Sequence, residues 1–266
     1  MADAATKNSL TPSGVGSFFT PNATMGSKAL YLIGVVELVA FIALWAIGPG
    51  MFPGPIDVMD QFPSLMKDGL IGHLLSSLQL SIEAIALSTL IALSLAYTAT
   101  IPVARPVINV LSAMRFLSLV GTGVFFHSFA GAGHGMKLAM LTFGMGVFML
   151  SSMKTEVQQV SVAKLDYVRS MRAKPFRVLW ETQVMGTSGK AFDTLIDTAA
   201  MAWLMLTAVE GIVRTEGGIG VLLLAENKRY NIAGIIAVQL VFLVAGLVQD
   251  FALRTLKKVI LPHTTK

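Results

Sequence analysis

The chain has 266 residues, 54% of them apolar and only 13% charged, with a mean hydropathy of +0.71. Soluble domains carry about a quarter charged residues, so this balance excludes an ordinary soluble domain and points to an integral membrane protein. There is no cysteine, which excludes disulfides, thiolate metal sites and cysteine nucleophiles. The net charge of +5 does not suggest a nucleic-acid partner; where the charge falls along the chain matters more.

Residues 1–28 are rich in Ser, Thr, Gly, Ala and Asn. They lack the apolar run of a cleaved signal peptide and predict a flexible cytoplasmic tail, in which Phe18 and Phe19 could dock on another surface. A membrane helix needs about 20 apolar residues. Six segments qualify: 29–47, ending in Gly48, Pro49 and Gly50; 74–99; a third from Pro106 to Phe129; a short one over 137–152; 194–212; and 232–253. The loop after the first is made acidic by Asp57, Asp60 and Asp68. A short helix is expected there from Pro55, because Ile56, Met59, Phe62 and Leu65 recur at helical spacing.

Lys and Arg set the orientation. With the N-terminus inside, 14 of the 20 fall in cytoplasmic segments, five outside, and Arg115 within the third span. Both termini are therefore expected in the cytoplasm. The densest basic segment lies between the fourth and fifth spans. It holds Lys154, Lys164, Arg169, Arg172, Lys174, Arg177 and Lys190 against Glu156, Asp166 and Glu181. A long polar loop of this kind, over about 153–190 and with helical content, is a docking surface for a soluble partner. In the last external loop, residues 213–231, the run from Glu216 to Gly220 contains three glycines. It permits tight turns with positive φ, and with no strand before it, it is no nucleotide fingerprint.

Ionisable groups inside spans are costly and default to functional candidates. Glu37, Glu83, Arg115 and Glu210 qualify. Arg115 could pair with Glu83 or Glu210, which would lower the cost of burial; the alternatives are a structural pair and a lining of the transport path. Trp203 stands seven residues before Glu210 and shares its helical face. Arg115, Trp203 and Glu210 are thus the substrate-pathway candidates. Asp193 and Asp197 open the fifth span, where acids suit the helix dipole. Gly121, Gly123, Gly144, Gly146, Ala233, Gly234 and Gly246 allow close helix approach, and 15 methionines add pliable packing. His73, His127, His134 and His263 lack the spacing of a metal motif, and no metal site and no catalytic residue is expected. The segment Gly186 to Lys190 imitates a phosphate loop, but Val184 and Ala191 occupy positions that need Gly and Ser or Thr. Energy for any work must come from a partner or a gradient.

The run from Asp166 to Glu181 resembles the cytoplasmic signature of ABC importer permeases, roughly E-A-A-x-x-x-G-A-S followed by an aromatic and an apolar run. Asp166 stands at the Glu position, Ala173 after the glycine position and Phe176 at the aromatic. The likeness extends from residue 29 to 262. Phe52 to Val58 resembles the family's Pro-Ser-Pro-x-x-Val segment, and Arg105-Pro106 opens the third span as the family does. Ala202-Trp203, Val209-Glu210 and Gly217 to Gly220 are similar to its fifth-span features, and Leu253 to Pro262 to its ending. The nitrate/sulfonate/taurine permeases are the most similar group. Three positions depart: the signature glycine is Arg172, Leu-Pro is Val184-Met185, and Gly-Leu-Arg is replaced around Thr194 to Ile196.

The resemblance implies an all-α integral membrane protein. It would have six transmembrane helices, a cytoplasmic coupling-helix loop between helices 4 and 5, and both termini cytoplasmic. It divides the chain into a tail (1–28), a permease domain (29–262) and a short tail (263–266). Asp166, Tyr167, Val168, Arg169, Ser170, Met171, Arg172 and Ala173 would form the helix that couples to the ATPase. Implied partners are two cytoplasmic ABC ATPase subunits that bind ATP and Mg, a second permease copy (as a homodimer), a periplasmic or surface substrate-binding protein, and the lipid of a bacterial inner membrane. The chain itself would bind no cofactor. The substrate would be a small solute such as a sulfonate- or nitrate-like anion. Two other classes remain. A gradient-driven secondary transporter or channel should show inverted repeats or broken helices. A membrane enzyme ranks last, because no metal cluster or nucleophile motif is present.

Overall fold

The computed structural model describes residues 26–47 and 52–262. The tail with Phe18 and Phe19, the Gly48-Pro49-Gly50 breaker, and the 263–266 tail with His263 lie outside the described residues. The chain divides into two compact units, Met1–Pro55 and Ile56–Lys266. The first holds α1 (Ser27–Ile47), an unbroken apolar helix, from which Trp45 Nε1 donates to the Pro53 carbonyl at 3.0 Å.

The second unit is all-helical among its described residues. Short α2 (Pro55–Met59) and α3 (Phe62–Lys67) precede α4 (Leu70–Thr98). Then come α5 (Arg105–Ala113), a 3₁₀ turn (Met114–Phe116), α6 (Leu119–Ala130), α7 (His134–Gln158), α8 (Val162–Ser170) and α9 (Pro175–Val178). A π-helical stretch (Leu179–Val184) leads into α10 (Met185–Ile212), followed by α11 (Ile219–Lys228) and α12 (Ile232–Ile260). Among the described residues, five helices are long and apolar enough to cross a membrane, or six if the bent pair α5 and α6 counts as one span. The chain is a multi-pass membrane protein.

The expected short helix after Pro55 is present as two pieces, but its buried face is Val58 and Leu65, each 1% exposed, while Ile56 and Met59 face outward. The single third span expected from Pro106 to Phe129 is instead broken. Its arms bend by 117° across Leu117 and Ser118, whose backbones are extended. A straight helix would carry Arg115 through the middle of the hydrocarbon, a costly position; the break lets it end the first arm, exposed. The fourth and fifth spans are longer than expected, and the polar loop is correspondingly shorter. Helix continues to Gln158 and resumes at Pro175, so Lys154, Glu156 and Lys190 sit on helices, with Lys190 paired to Glu156.

Helix α7 lies at the centre, packed against α4, α6 and α10. In hydrocarbon there is little hydrophobic force between helices, so close packing and interhelical hydrogen bonds hold them. The facing surfaces suit that rule. Along α4 a buried stripe of small residues, Ser77, Ser81, Ala84, Ser88, Ala92 and Ala96, recurs every three or four positions. Buried Met140, Met145, Met149 and Met153 of α7 supply the bulk. Close approach is enforced at Gly144, where a β-carbon would lie 2.9 Å from Met205 Sδ. Polar ties fix α4 to its neighbours: Ser81 Oγ donates to Gln249 Oε1 of α12 at 3.2 Å, and Tyr97 meets Thr187 of α10 at 3.4 Å.

Candidate functional site

At one end of the second unit, α8 and α9 stand between the ends of α7 and α10. Ser161 caps α8 with its side chain, accepting from the Lys164 amide at 3.4 Å. Leu165 and Val168 are half-buried, whereas Asp166, Tyr167, Arg169 and Ser170 are exposed. The helix therefore rests on an apolar edge and presents a polar one. Arg169 Nη1 donates to Asp166 Oδ1 at 3.1 Å, one turn apart. Both side chains are 62% exposed, so the pair adds only ~0–1 kcal/mol and remains open to a partner. Met171 and Arg172 end the helix on the exposed side, and Ala173 is half-buried. Arg172 has φ of 57°, the left-handed conformation that usually selects glycine just past a helix.

At the opposite end, Glu210 is 1% exposed and is the centre of a polar knot. Ser77 Oγ donates to Glu210 Oε1 at 2.6 Å, and the Gly220 amide to Oε2 at 2.6 Å. The Ile219 amide donates to Ser77 Oγ at 2.8 Å, and the Gly218 amide to His73 Nδ1 at 2.9 Å. Lys137, only 2% exposed, donates to the Gly217 carbonyl at 2.6 Å and lies close enough to Glu210 and Glu216 to attract both. The carboxylate thus accepts from the Gly220 amide in the first turn of α11, as a cap does, while Ser77 and His73 take the amides of Ile219 and Gly218. The glycines are required here. Gly217 and Gly218 have φ of 71° and 120°, and a β-carbon on Gly218 would overlap the Glu210 carboxyl. A second cluster ends α11: Glu226 accepts from Arg229 at 2.9 Å and from Asn231 at 2.7 Å, and Arg229 reaches Asp68 at 3.3 Å.

The three pathway candidates are not brought together. Arg115 pairs with neither Glu83 nor Glu210. It donates to Ser151 Oγ and lies 4.9 Å from the centre of the Phe116 ring. Glu83 instead accepts from Gln79 at 2.8 Å and meets His134 at 2.7 Å. Trp203 packs edge-on against Phe242 with ring centres 5.7 Å apart, and its Nε1 is buried with no acceptor among the described residues. It lines a groove of about 550 Å³ between α10 and α12, with Thr207, Gln239 and Gly246. Asp193, expected to serve a helix start, lies inside α10 and accepts from Lys257 of α12 at 2.5 Å. Lys137, Ser77 and His73 were missed by sequence reasoning. For Lys137 the one signal was its place at the very edge of the apolar run 137–152. Among the described residues no three His, Cys, Asp or Glu gather into a metal-ligating group.

No family model matches this sequence, and no curated protein does either. Among solved structures, one chain of the MetNI methionine ABC transporter, crystallised in inward-facing conformations, is similar. The TM-score is 0.53 at 16% identity, over 74% of this chain and 96% of that one. The two share a fold.

Proposed function

We propose that the chain is the permease subunit of an ATP-driven ABC importer. The observation that carries this reading is the exposed basic segment α8–α9, set between α7 and α10 and continuous through α9 with the 38-residue helical run Pro175–Ile212. The shared fold with a chain of an ABC transporter supports it, as does the left-handed Arg172 at the position where the permease signature has glycine. In this reading Asp166 to Ala173 receive the ATPase. Two ATPase subunits bind ATP and Mg, and their closure pushes α8. A continuous helix carries the displacement to Glu210, whose hydrogen bonds join α10 to α4 and α11. Packed helix pairs with two stable arrangements then expose the path to one side or the other.

The finer parts of the proposal follow the resemblance. The chain belongs to the nitrate/sulfonate/taurine group, pairs with a second copy, sits in a bacterial inner membrane with α8 on the cytoplasmic side, and receives a sulfonate- or nitrate-like anion from a binding protein. Trp203 and Arg115 are the proposed pathway residues. Glu210, with both oxygens engaged, serves as a structural anchor. The test is uptake by the chain reconstituted with its ATPase and binding protein. Asp166→Ala and Arg169→Ala should each cut uptake at least tenfold while leaving expression intact; wild-type uptake in both would count against the docking role.

One observation favours a second reading, a gradient-driven carrier: the broken α5/α6 span resembles the discontinuous helices of such carriers. Uptake into liposomes holding this chain alone, abolished by an ionophore, would select it.

A further inference from the structure

Behind α8 lies a cavity of about 600 Å³ to which the transport reading assigns no ligand, although it shares Arg169 with the docking helix. Its lining includes apolar side chains, among them Ile101, Val160, Val162, Leu165 and Val178. The same lining carries two guanidinium groups, Arg105 and Arg169, with the amides of Gln158 and Gln183. Arg105 donates through Nε to the Ala99 carbonyl at 3.3 Å and has no carboxylate partner among the described residues. Arg169 has only its exposed neighbour Asp166. The surrounding segment, residues 160–178, holds five basic residues against one acid.

The depth of this cavity matters as much as its lining. It opens where α4 ends, at Ala99, where α7 ends, beside Val157 and Gln158, and where α9 begins, at Pro175. A span of 25 residues such as α7 rises about 37 Å, more than the roughly 30 Å of hydrocarbon. Its terminal turn therefore sits among lipid headgroups. Basic pockets at that level, between helices, suit anionic headgroups, and guanidinium groups bind phosphate oxygens with paired, directional hydrogen bonds.

We infer that the cavity between α8, α9 and the ends of α4 and α7 binds an anionic phospholipid, with the phosphate on Arg105 and Arg169 and an acyl chain along the Val160–Leu165 side. The apolar share of the lining decides the occupant: a free phosphate has nothing to place against it. A lipid seated there fills the space beneath α8 and fixes the height at which that helix stands off the bundle. The inference holds whatever drives transport.

The full-length chain, purified in a neutral detergent, is offered phosphatidylglycerol or phosphatidylcholine of identical acyl chains, and bound lipid is counted by native mass spectrometry. Phosphatidylglycerol should be retained at least tenfold over phosphatidylcholine. The double change Arg105→Gln and Arg169→Gln should remove that preference, and Val162→Trp, which fills the cavity without touching charge, should reduce retention as well. Arg254→Gln, at an ion pair with Asp250 outside the cavity's lining, should leave it intact. Equal retention of the two lipids, or an unchanged preference in both cavity variants when each runs as a monodisperse species, would overturn the inference. Displacement of the lipid by millimolar inorganic phosphate would also overturn it, assigning the site to a soluble anion.

Discussion

Glu210 shows what a buried carboxylate does when every neighbour is a donor. It accepts from Ser77 and Gly220 and is attracted by Lys137, so its removal would strand donors in a dry site. Glu210→Ala should lower stability by about 2–4 kcal/mol, because two buried donors lose their acceptor, whereas Glu210→Gln, which keeps an acceptor, should cost less. Thermal unfolding in detergent measures both. Gly218→Ala should cost about 3 kcal/mol, because φ of 120° and the adjacent carboxyl leave no room for a methyl group. At Arg172 the sign reverses. A left-handed residue past a helix favours glycine, so Arg172→Gly should stabilise the α8 cap by about 1 kcal/mol, read as slower amide exchange at the end of α8. The glycine run from Gly217 was legible as a site of positive φ. The carboxylate that demands it was not, since a partner eight residues away in sequence is found only when α11 folds back onto α10.

At the scale of elements, apolar length alone located the spans, and polar residues misled at their ends. Lys154, Glu156 and Lys190 made the fourth and fifth spans look short, yet a helix leaving the hydrocarbon can carry such residues and pair them across to its neighbour, as Lys190 does with Glu156. The break between α5 and α6 was invisible because both arms are apolar and no proline marks Leu117 or Ser118; only the charge at Arg115 hinted that a straight span was costly. The small stripe of α4 also escaped, since serine and alanine at every third or fourth place carry little hydropathy signal. The break makes a prediction, and the absence of cysteine makes it easy to check. A single cysteine placed by Arg115→Cys should react with a membrane-impermeant maleimide from the same side as one placed by Ser161→Cys. A straight span would protect it.

For the whole molecule, composition alone named the solvent, and the order of polar and apolar segments named the fold; neither names a cargo. The proposed assembly makes the decisive prediction: the chain reconstituted by itself should neither hydrolyse ATP nor accumulate solute, and adding the ATPase pair and a loaded binding protein should start uptake. The π-helical stretch Leu179–Val184 gives that assembly one more property. An α-helix turns by about 100° per residue, and a π segment takes in an extra residue without adding a turn. It therefore acts as a phase-setter, fixing which compass bearing on α10 corresponds to a given bearing on α9. Winding the same residues as plain α-helix would keep every helix and leave α9 dialled about a quarter turn away from the Trp203 groove's meridian, whereas trimming one residue would let α-helix run through with the bearing kept.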